Sequence, residues 1–288
     1  MQYSDFALAP HHLDQLIEMA IAEDIGPADI TTAALDGDAV RGRGEIIARE
    51  PLLLAGIDAA RRVFARIDPG LCFSARMCDG AEIEAGQVIA EISGDFCSLL
   101  LGERIALNFL QRLSGIATHV RSFVKMLAGR PVKLVDTRKT VPGWRVLEKY
   151  AVRTGGAGNH RMGLYDGILI KDNHIAAFGG IREAVVRTRS RASHLVKIEI
   201  EAASHEQVDE ALAAGADVIM LDNMEDADIE KAVARIDGQA LVEVSGRVDR
   251  NALCRLADLG VDIISAGALI HGARFVDISM TSAPFTEQ

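Results

Sequence analysis

The chain has 288 residues, 49% of them apolar and 25% charged, enough for one large domain or two ordinary ones around a substantial core. A formal net charge of −10 argues against nucleic acid or an anionic membrane surface as the main partner. No apolar run approaches the roughly 20 residues that span a bilayer, and the opening MQYSDFALAP lacks the basic start and apolar stretch of a secretory leader. Cysteines at 72, 78, 97 and 254 show no metal-ligand spacing and read as reduced, mostly buried thiols of a cytoplasmic protein.

Residues 11–23 space Leu13, Leu16, Ile17, Ala20 and Ile21 as an amphipathic helix, which Gly26-Pro27 ends. RGRGEIIARE (41–50) and PLLLAG (51–56) read as strands and 57–67 as a helix. In GAEIEAGQVIAEISGD (80–95) apolar residues alternate around Gly86, which predicts a hairpin. A long helical pattern covers 97–127, through Leu100, Ile105, Leu107, Leu110, Leu113, Ile116, Val120 and Val124, with Ser114-Gly115 as a candidate kink or break.

From 132 onward short apolar strands alternate with helices. Strands are predicted at 132–135, 167–170, 195–200, 217–221, 240–244 and 261–264, with helices at 180–190, 205–214, 225–235 and 249–259. Such alternation implies parallel strands joined by crossover helices. Strands this uniformly apolar favour a closed or nearly closed barrel, and six of them fall short of eight. The expectation is therefore an incomplete parallel α/β barrel.

Each predicted barrel strand runs into polar residues: Asp136-Thr137-Arg138-Lys139-Thr140, Lys171-Asp172-Asn173-His174, Glu199-Ile200-Glu201, Asp222-Asn223, Glu243-Val244-Ser245-Gly246 and Ser265-Ala266-Gly267. The C-terminal ends of parallel barrel strands converge on one face, where such barrels carry their active sites. Residues 133–174 hold eight Lys/Arg against four Asp/Glu, a net +4 inside an acidic chain. That segment is either an anion pocket or a solvated basic helix face. Arg138, Lys139, Arg161 and Lys171, with His160 beside them, suit carboxylates or phosphates. Glu201 and Asp222 serve either as ion-pair partners for those cations or, with a phosphorylated ligand, as Mg2+ ligands. The small residues around Ser245-Gly246-Arg247 and Ala266-Gly267-Ala268 leave backbone N–H groups open to a phosphate.

These residues resemble the quinolinate phosphoribosyltransferases, the carboxylating nicotinate-nucleotide pyrophosphorylases. The resemblance is carried by DTRKTVPGWRVLEKYAVRTGGAGNHRMGLYDGILIKDNHI (136–175), ERIALNFLQRLSGIAT (103–118), EDIGPADITT (23–32), KIEIEA (197–202), VIMLDN (218–223) and SAGALIH (265–271), in order along nearly the whole chain. It implies an N-terminal α/β sandwich domain (1–115, joined by the tail 272–288) and an incomplete α/β barrel domain (116–271). It also implies a homo-oligomer, at least a dimer, in which Arg104 reaches the neighbouring subunit's site.

The implied reaction joins quinolinate to 5-phosphoribosyl 1-pyrophosphate with Mg2+, giving nicotinate mononucleotide, pyrophosphate and CO2 in NAD biosynthesis. By the same resemblance, Arg104, Thr137, Arg138, Lys139, His160, Arg161 and Lys171 bind substrate, with Lys139 meeting the sugar phosphate or pyrophosphate. Glu201, Asp222 and Lys139 carry the catalysis, the two carboxylates standing near ribose and Mg2+. Ser245, Gly246, Arg247, Ala266, Gly267, Ala268 and His271 hold the 5-phosphate. Arg247 stands where the family has Gly, and two orientations are open for it, onto the phosphate or outward. Trp144 replaces a more usual aliphatic residue and is given no catalytic role, and His174 reads as structural. The competing readings are the molybdenum-associated homologue, disfavoured by Lys171, a Schiff-base lyase using Lys171 or Lys197, and a binding module without turnover.

Overall fold

A computed structural model describes residues 10–35, 40–246 and 248–285; Arg247 and nine residues of the opening segment lie outside them. In chain order the elements begin with α1 (Pro10–Asp24), a short 3-10 turn (Thr32–Leu35), β1 (Arg41–Ala48), β2 (Leu52–Leu53) and α2 (Ile57–Ile67). Next come β3 (Cys72–Ala75), β4 (Glu82–Ile83), β5 (Val88–Asp95), α3 (Phe96–Met126), β6 (Lys133–Val135) and α4 (Arg145–Gly155). The barrel then runs through β7 (Ile168–Ile170), α5 (Asp172–Phe178), α6 (Ile181–Arg189), β8 (Ile198–Ala202), α7 (His205–Ala213) and β9 (Val218–Asp222). It ends with α8 (Asp226–Ile236), β10 (Leu241–Ser245), α9 (Arg250–Ala257), β11 (Ile263–Ser265) and α10 (Ala268–His271), and the chain closes on β12 (Ile278–Pro284).

The chain divides into two compact units. One takes the chain up to Arg121, Val141–Gly156 and the tail from Ala273; the other takes Ser122–Thr140 and Ala157–Gly272. The first is an α/β sandwich on the antiparallel sheet β12-β1-β5-β3. Its long helix α3 buries Leu99, Ile105, Ala106, Phe109, Leu110, Leu113, Ile116, Ala117 and Val120, the three-and-four spacing of one helical face. Segment 141–156 belongs to this unit because the fully buried Glu148 takes Arg112 of α3 on one oxygen and the backbone N–H of Val141 on the other, at 2.9 Å. Arg112 Nη1 also donates to Ala273 O at 3.0 Å, tying the tail to the same helix. Trp144 stacks on Phe109, ring centroids 4.9 Å apart, a packing role.

Three expectations need correction here. Ser114-Gly115 neither kinks nor breaks α3. Ser114 Oγ bonds Ala55 N (3.0 Å) and donates to Ala55 O (3.1 Å), and a Cβ on Gly115 would stand 2.1 Å from Arg274 O. The small residues admit neighbouring backbone. Nor is 80–95 a hairpin: β4 pairs with β2, while β5 pairs with β1 and β3. The turn at Gly86 forms, but Gly86 N donates to Ala48 O and Ala48 N to Gln87 O, which hands the following strand to β1. Finally, the four cysteines are free but not buried; Cys72 and Cys78 are exposed, and Cys97 and Cys254 are half-buried. Cys72 opens the edge strand β3, where a side chain has one neighbouring strand to cover it.

The second unit is an incomplete parallel α/β barrel of six strands, ordered β6-β11-β10-β9-β8-β7. The first strand pairs with the last, β6 with β11, so the ring closes there and stays open between β6 and β7. Gly158 adds a single parallel bridge to Val135 on the open side of β6. A Cβ at Gly158 would stand 2.9 Å from Lys133 Cε and 3.2 Å from Val135 Cγ1, so glycine leaves room for both side chains beside the bridge. No helix among the described residues is long and apolar enough to cross a membrane.

Candidate active site

Strand side chains alternate faces, and two layers of the barrel interior follow from that period. Lys133, Val135, Glu199, Val218, Glu243 and Ile263 line a lower cavity of about 400 Å3. One period further along their strands, Glu201, Met220, Ser245 and Ser265 line an upper one of about 740 Å3 at the strands' C-terminal ends, joined by Lys171 after β7 and by Asp222 at the end of β9. The registers agree: Glu199 pairs with Val218 and Glu201 with Met220, Glu243 with Ile263 and Ser245 with Ser265.

The upper cavity collects nearly every residue that the sequence nominated. Thr137, Arg138 and Lys139 follow β6, with His160 and Arg161 on the adjoining loop. Lys171, Glu201 and Asp222 stand at the ends of β7, β8 and β9. The lining is completed by Ser245, which ends β10, by Gly246 after it, and by Ala266, Gly267, Ala268 and His271 after β11. Arg104 is exposed on α3 and does not line this cavity. Arg247 lies outside the described residues.

Local geometry shows why these side chains hold their places. Asp136 is fully buried; one oxygen accepts His160 N at 2.9 Å and the other Asn159 Nδ2 at 2.6 Å. These charge-assisted bonds fasten the 159–161 loop to the end of β6. Arg161 Nη1 donates to Gly167 O at 3.0 Å. Burial, reinforced by nearby Arg138, holds its guanidinium below the usual range. Lys171 Nζ pairs with Glu201 Oε1. His174 Nδ1 accepts Lys171 N at 3.0 Å and so caps α5, the structural role read from the sequence. Asn223 Nδ2 donates to Asp222 Oδ2 at 3.0 Å.

Two glycines keep this last part of the lining low. Gly246 turns with φ +91°, a left-handed conformation that glycine adopts without strain. A Cβ on Gly267 would stand 2.8 Å from Lys139 Cδ and 3.3 Å from His271 Nε2, so Lys139 and His271 close over that glycine. Glu199, Glu243 and Asp136 received no role from the sequence. The available signal was their register: carboxyls two residues before Glu201 and Ser245 in otherwise apolar strands share the inward face.

A cationic cavity at the strand ends of an incomplete parallel barrel, flanked by glycine turns, defines a barrel protein that binds a small carboxylated or phosphorylated anion. Residues 29–114 match the quinolinate phosphoribosyl transferase N-terminal domain and residues 116–281 the C-terminal domain of the same family. A Bacillus subtilis protein described as a "probable nicotinate-nucleotide pyrophosphorylase (carboxylating)" is 44% identical over 93% of this chain and 92% of its own length. An Arabidopsis thaliana protein, the chloroplastic nicotinate-nucleotide pyrophosphorylase (carboxylating), is 37% identical over 94% of this chain and 82% of its own. Among solved structures, NadC from Streptococcus pyogenes superposes with a TM-score of 0.92 at 39% identity, covering 96% of this chain and 98% of that one. The chain belongs to the quinolinate phosphoribosyltransferase family.

Proposed function

We propose that this chain is a quinolinate phosphoribosyltransferase of NAD biosynthesis, working in the cytoplasm as a homo-oligomer, at least a dimer. It joins quinolinate to 5-phosphoribosyl 1-pyrophosphate and releases nicotinate mononucleotide, pyrophosphate and CO2. The observation that carries the reading is one cavity lined both by guanidinium and ammonium groups (Arg138, Arg161, Lys171) and by glycines (Gly246, Gly267), with Lys139 and His271 packed against Gly267.

Arg138, Arg161 and Lys171 bind the two ring carboxylates, the guanidinium forks bond for bond. Lys139 faces the pyrophosphate or sugar phosphate, and Ser245, Gly246, Ala266, Gly267, Ala268 and His271 take the 5-phosphate. Glu201 and Asp222 face the anomeric carbon, where positive charge grows as pyrophosphate departs, and preorganised carboxylates stabilise that charge. Their donor set, two carboxylates beside a phosphate site, suits Mg2+, which prefers few carboxylates plus substrate phosphates. When bound, Mg2+ supplies neutralisation of the leaving pyrophosphate. The ring nitrogen's pair forms the new N–C bond while the C–O bond to pyrophosphate breaks. The neighbouring C–carboxylate bond then breaks, CO2 departs, and the electron pair left on carbon is stabilised by the pyridinium and takes a proton from water. Positioning therefore does most of the work, and aligned groups contribute roughly 7–11 kcal/mol. Arg104, exposed and outside this chain's cavity lining, serves the site of a second subunit.

The test is release of labelled CO2 from carboxyl-labelled quinolinate. Release that requires both the ribosyl donor and Mg2+ is expected; binding of quinolinate without any release would refute the assignment.

A further inference from the structure

Below the anion cavity the barrel holds two buried carboxyls, Glu199 and Glu243, that the reaction does not use, and His160 of the cavity lining reaches down to them. Glu243 is 2% exposed and Glu199 7%. His160 Nε2 lies 3.0 Å from Glu199 Oε2 and 3.6 Å from Glu243 Oε1. The other ring nitrogen, Nδ1, accepts the backbone N–H of Arg161 at 2.7 Å. Glu199 Oε1 and Glu243 Oε1 are buried without a hydrogen-bond partner. Buried polar atoms are rarely left so, and a site that tolerates them has a use for the charge.

The ring's protonation follows from its neighbours. A backbone N–H donates only to a bare lone pair, so Nδ1 carries no proton. A neutral imidazole then has its one proton on Nε2, and that N–H donates to Glu199 Oε2. The same fact decides against a metal. His160, Glu199 and Glu243 offer ligand atoms within 4.8 Å of one another, a donor set that zinc accepts. A ligating imidazole nitrogen must present its lone pair while the second nitrogen keeps the proton and donates it. Here the second nitrogen faces a donor. The geometry fits a proton between His160 and Glu199, not a cation.

We propose that Glu199 and Glu243 are positioning residues for the carboxylate clamp, acting through His160. The acid pair fixes the Nε2–H tautomer and the ring plane, Nδ1 thereby holds the Arg161 backbone, and the Arg161 guanidinium is aimed into the cavity. His160 works behind the clamp, with both ring nitrogens engaged by protein. The inference deepens the quinolinate reading and rests on it for its kinetic part alone.

The test begins without substrate. Nitrogen-15 spectra of the histidine rings, with His160 assigned by a His160→Asn difference, are expected to show a bare Nδ1 and a protonated Nε2 at about pH 7.5. A protonated Nδ1 would overturn the proposal. So would a His160 signal that shifts on EDTA treatment and returns with Zn2+, which would establish a cation site. Glu199→Ala is then expected to release the tautomer and raise the quinolinate KM by up to about 100-fold, the cost of a misplaced binding group, with the ribosyl-donor KM within about twofold. Glu199→Gln keeps an oxygen that accepts Nε2–H and is expected to restore both the tautomer and most of the KM. A Glu199→Ala enzyme with wild-type quinolinate KM, or one in which both KM values rise together, would overturn the proposal. A wild-type protein that never turns quinolinate over would sink the functional reading while the ring spectra still decided this one.

Discussion

Replacing Glu243 by Gln removes a carboxyl that folding makes hard to ionise. Burial, then the Glu199 carboxylate beside it, pushes Glu243 up from an ordinary 4.5 to about 7. Between those values the folded protein holds a proton that the unfolded chain has released, so the wild type loses stability as pH rises through that window. The shift corresponds to on the order of 3 kcal/mol in all. Acidic groups whose values folding lowers, such as Asp58 beside Arg62 and Arg61, and Asp217 at the Ile198 N–H, act in the opposite sense. Their stabilisation is present above the unfolded value near 4 and is lost only on further acidification, so it barely enters the window. Isothermal urea unfolding at several pH values between about 5 and 8, on wild type and Glu243→Gln, isolates the carboxyl as the difference between two curves. The wild type is expected to lose stability relative to the variant as pH rises. Parallel curves across the window would show that Glu243 ionises at an ordinary value and that the buried acid pair is not strained.

Lys171→Ala is expected to weaken quinolinate binding, read by calorimetry without ribosyl donor, and to change the unfolding midpoint little because Lys171 is half exposed. Mixing Arg104→Ala with Lys171→Ala subunits is expected to recover activity that neither has alone, since one site per mixed dimer regains both groups; no recovery in mixtures shown to exchange subunits would exclude a shared site. Gly115→Ala forces a methyl against Arg274 O and is expected to cost about 1–3 kcal/mol in chemical unfolding, without touching the cavity.

The barrel strands were legible because they are short apolar runs at regular spacing, and each lies within a few residues of its expected place. The cavity residues were legible because parallel strands must deliver their C-terminal ends to one face. Other elements were hidden for identifiable reasons. The edge strand β3 leaves too short a pattern to count, and β2 and β4, though inside segments read as strands, pair with each other across a distance that alternation does not announce. Helix α5 begins at Asp172, inside the motif that reads as strand end, and buries no side chain, so it has no apolar stripe to show. Its cap is His174 turning back to Lys171 N, a local bond that spacing cannot announce. The acid pair was hidden differently. Glu199 and Glu243 were visible as letters, but their meeting depends on β8 and β10 flanking β9 in register, a tertiary fact.

The two interior layers explain why the cavity keeps its charge. Arg161 is partly desolvated, and Arg138 stands close enough to disfavour its charge further. Unrelieved, such a pair would splay toward solvent and lose its aim. Neutralising it with carboxylates at the same level would fill the lone-pair positions a dicarboxylate substrate must occupy. Acids one layer down avoid both outcomes. The field of Glu199 favours the Arg161 cation above it, and in a poorly solvated interior that field is weakly screened. The contact itself passes to His160, whose ring bonds Glu199 on one side and the Arg161 backbone on the other. The Lys171–Glu201 pair at the rim differs, being half open to water and so replaceable by an incoming carboxylate at small cost. Selectivity for a doubly carboxylated ring then rests in part on Arg161, which is held and favoured from below the floor, where no substrate group competes for Glu199.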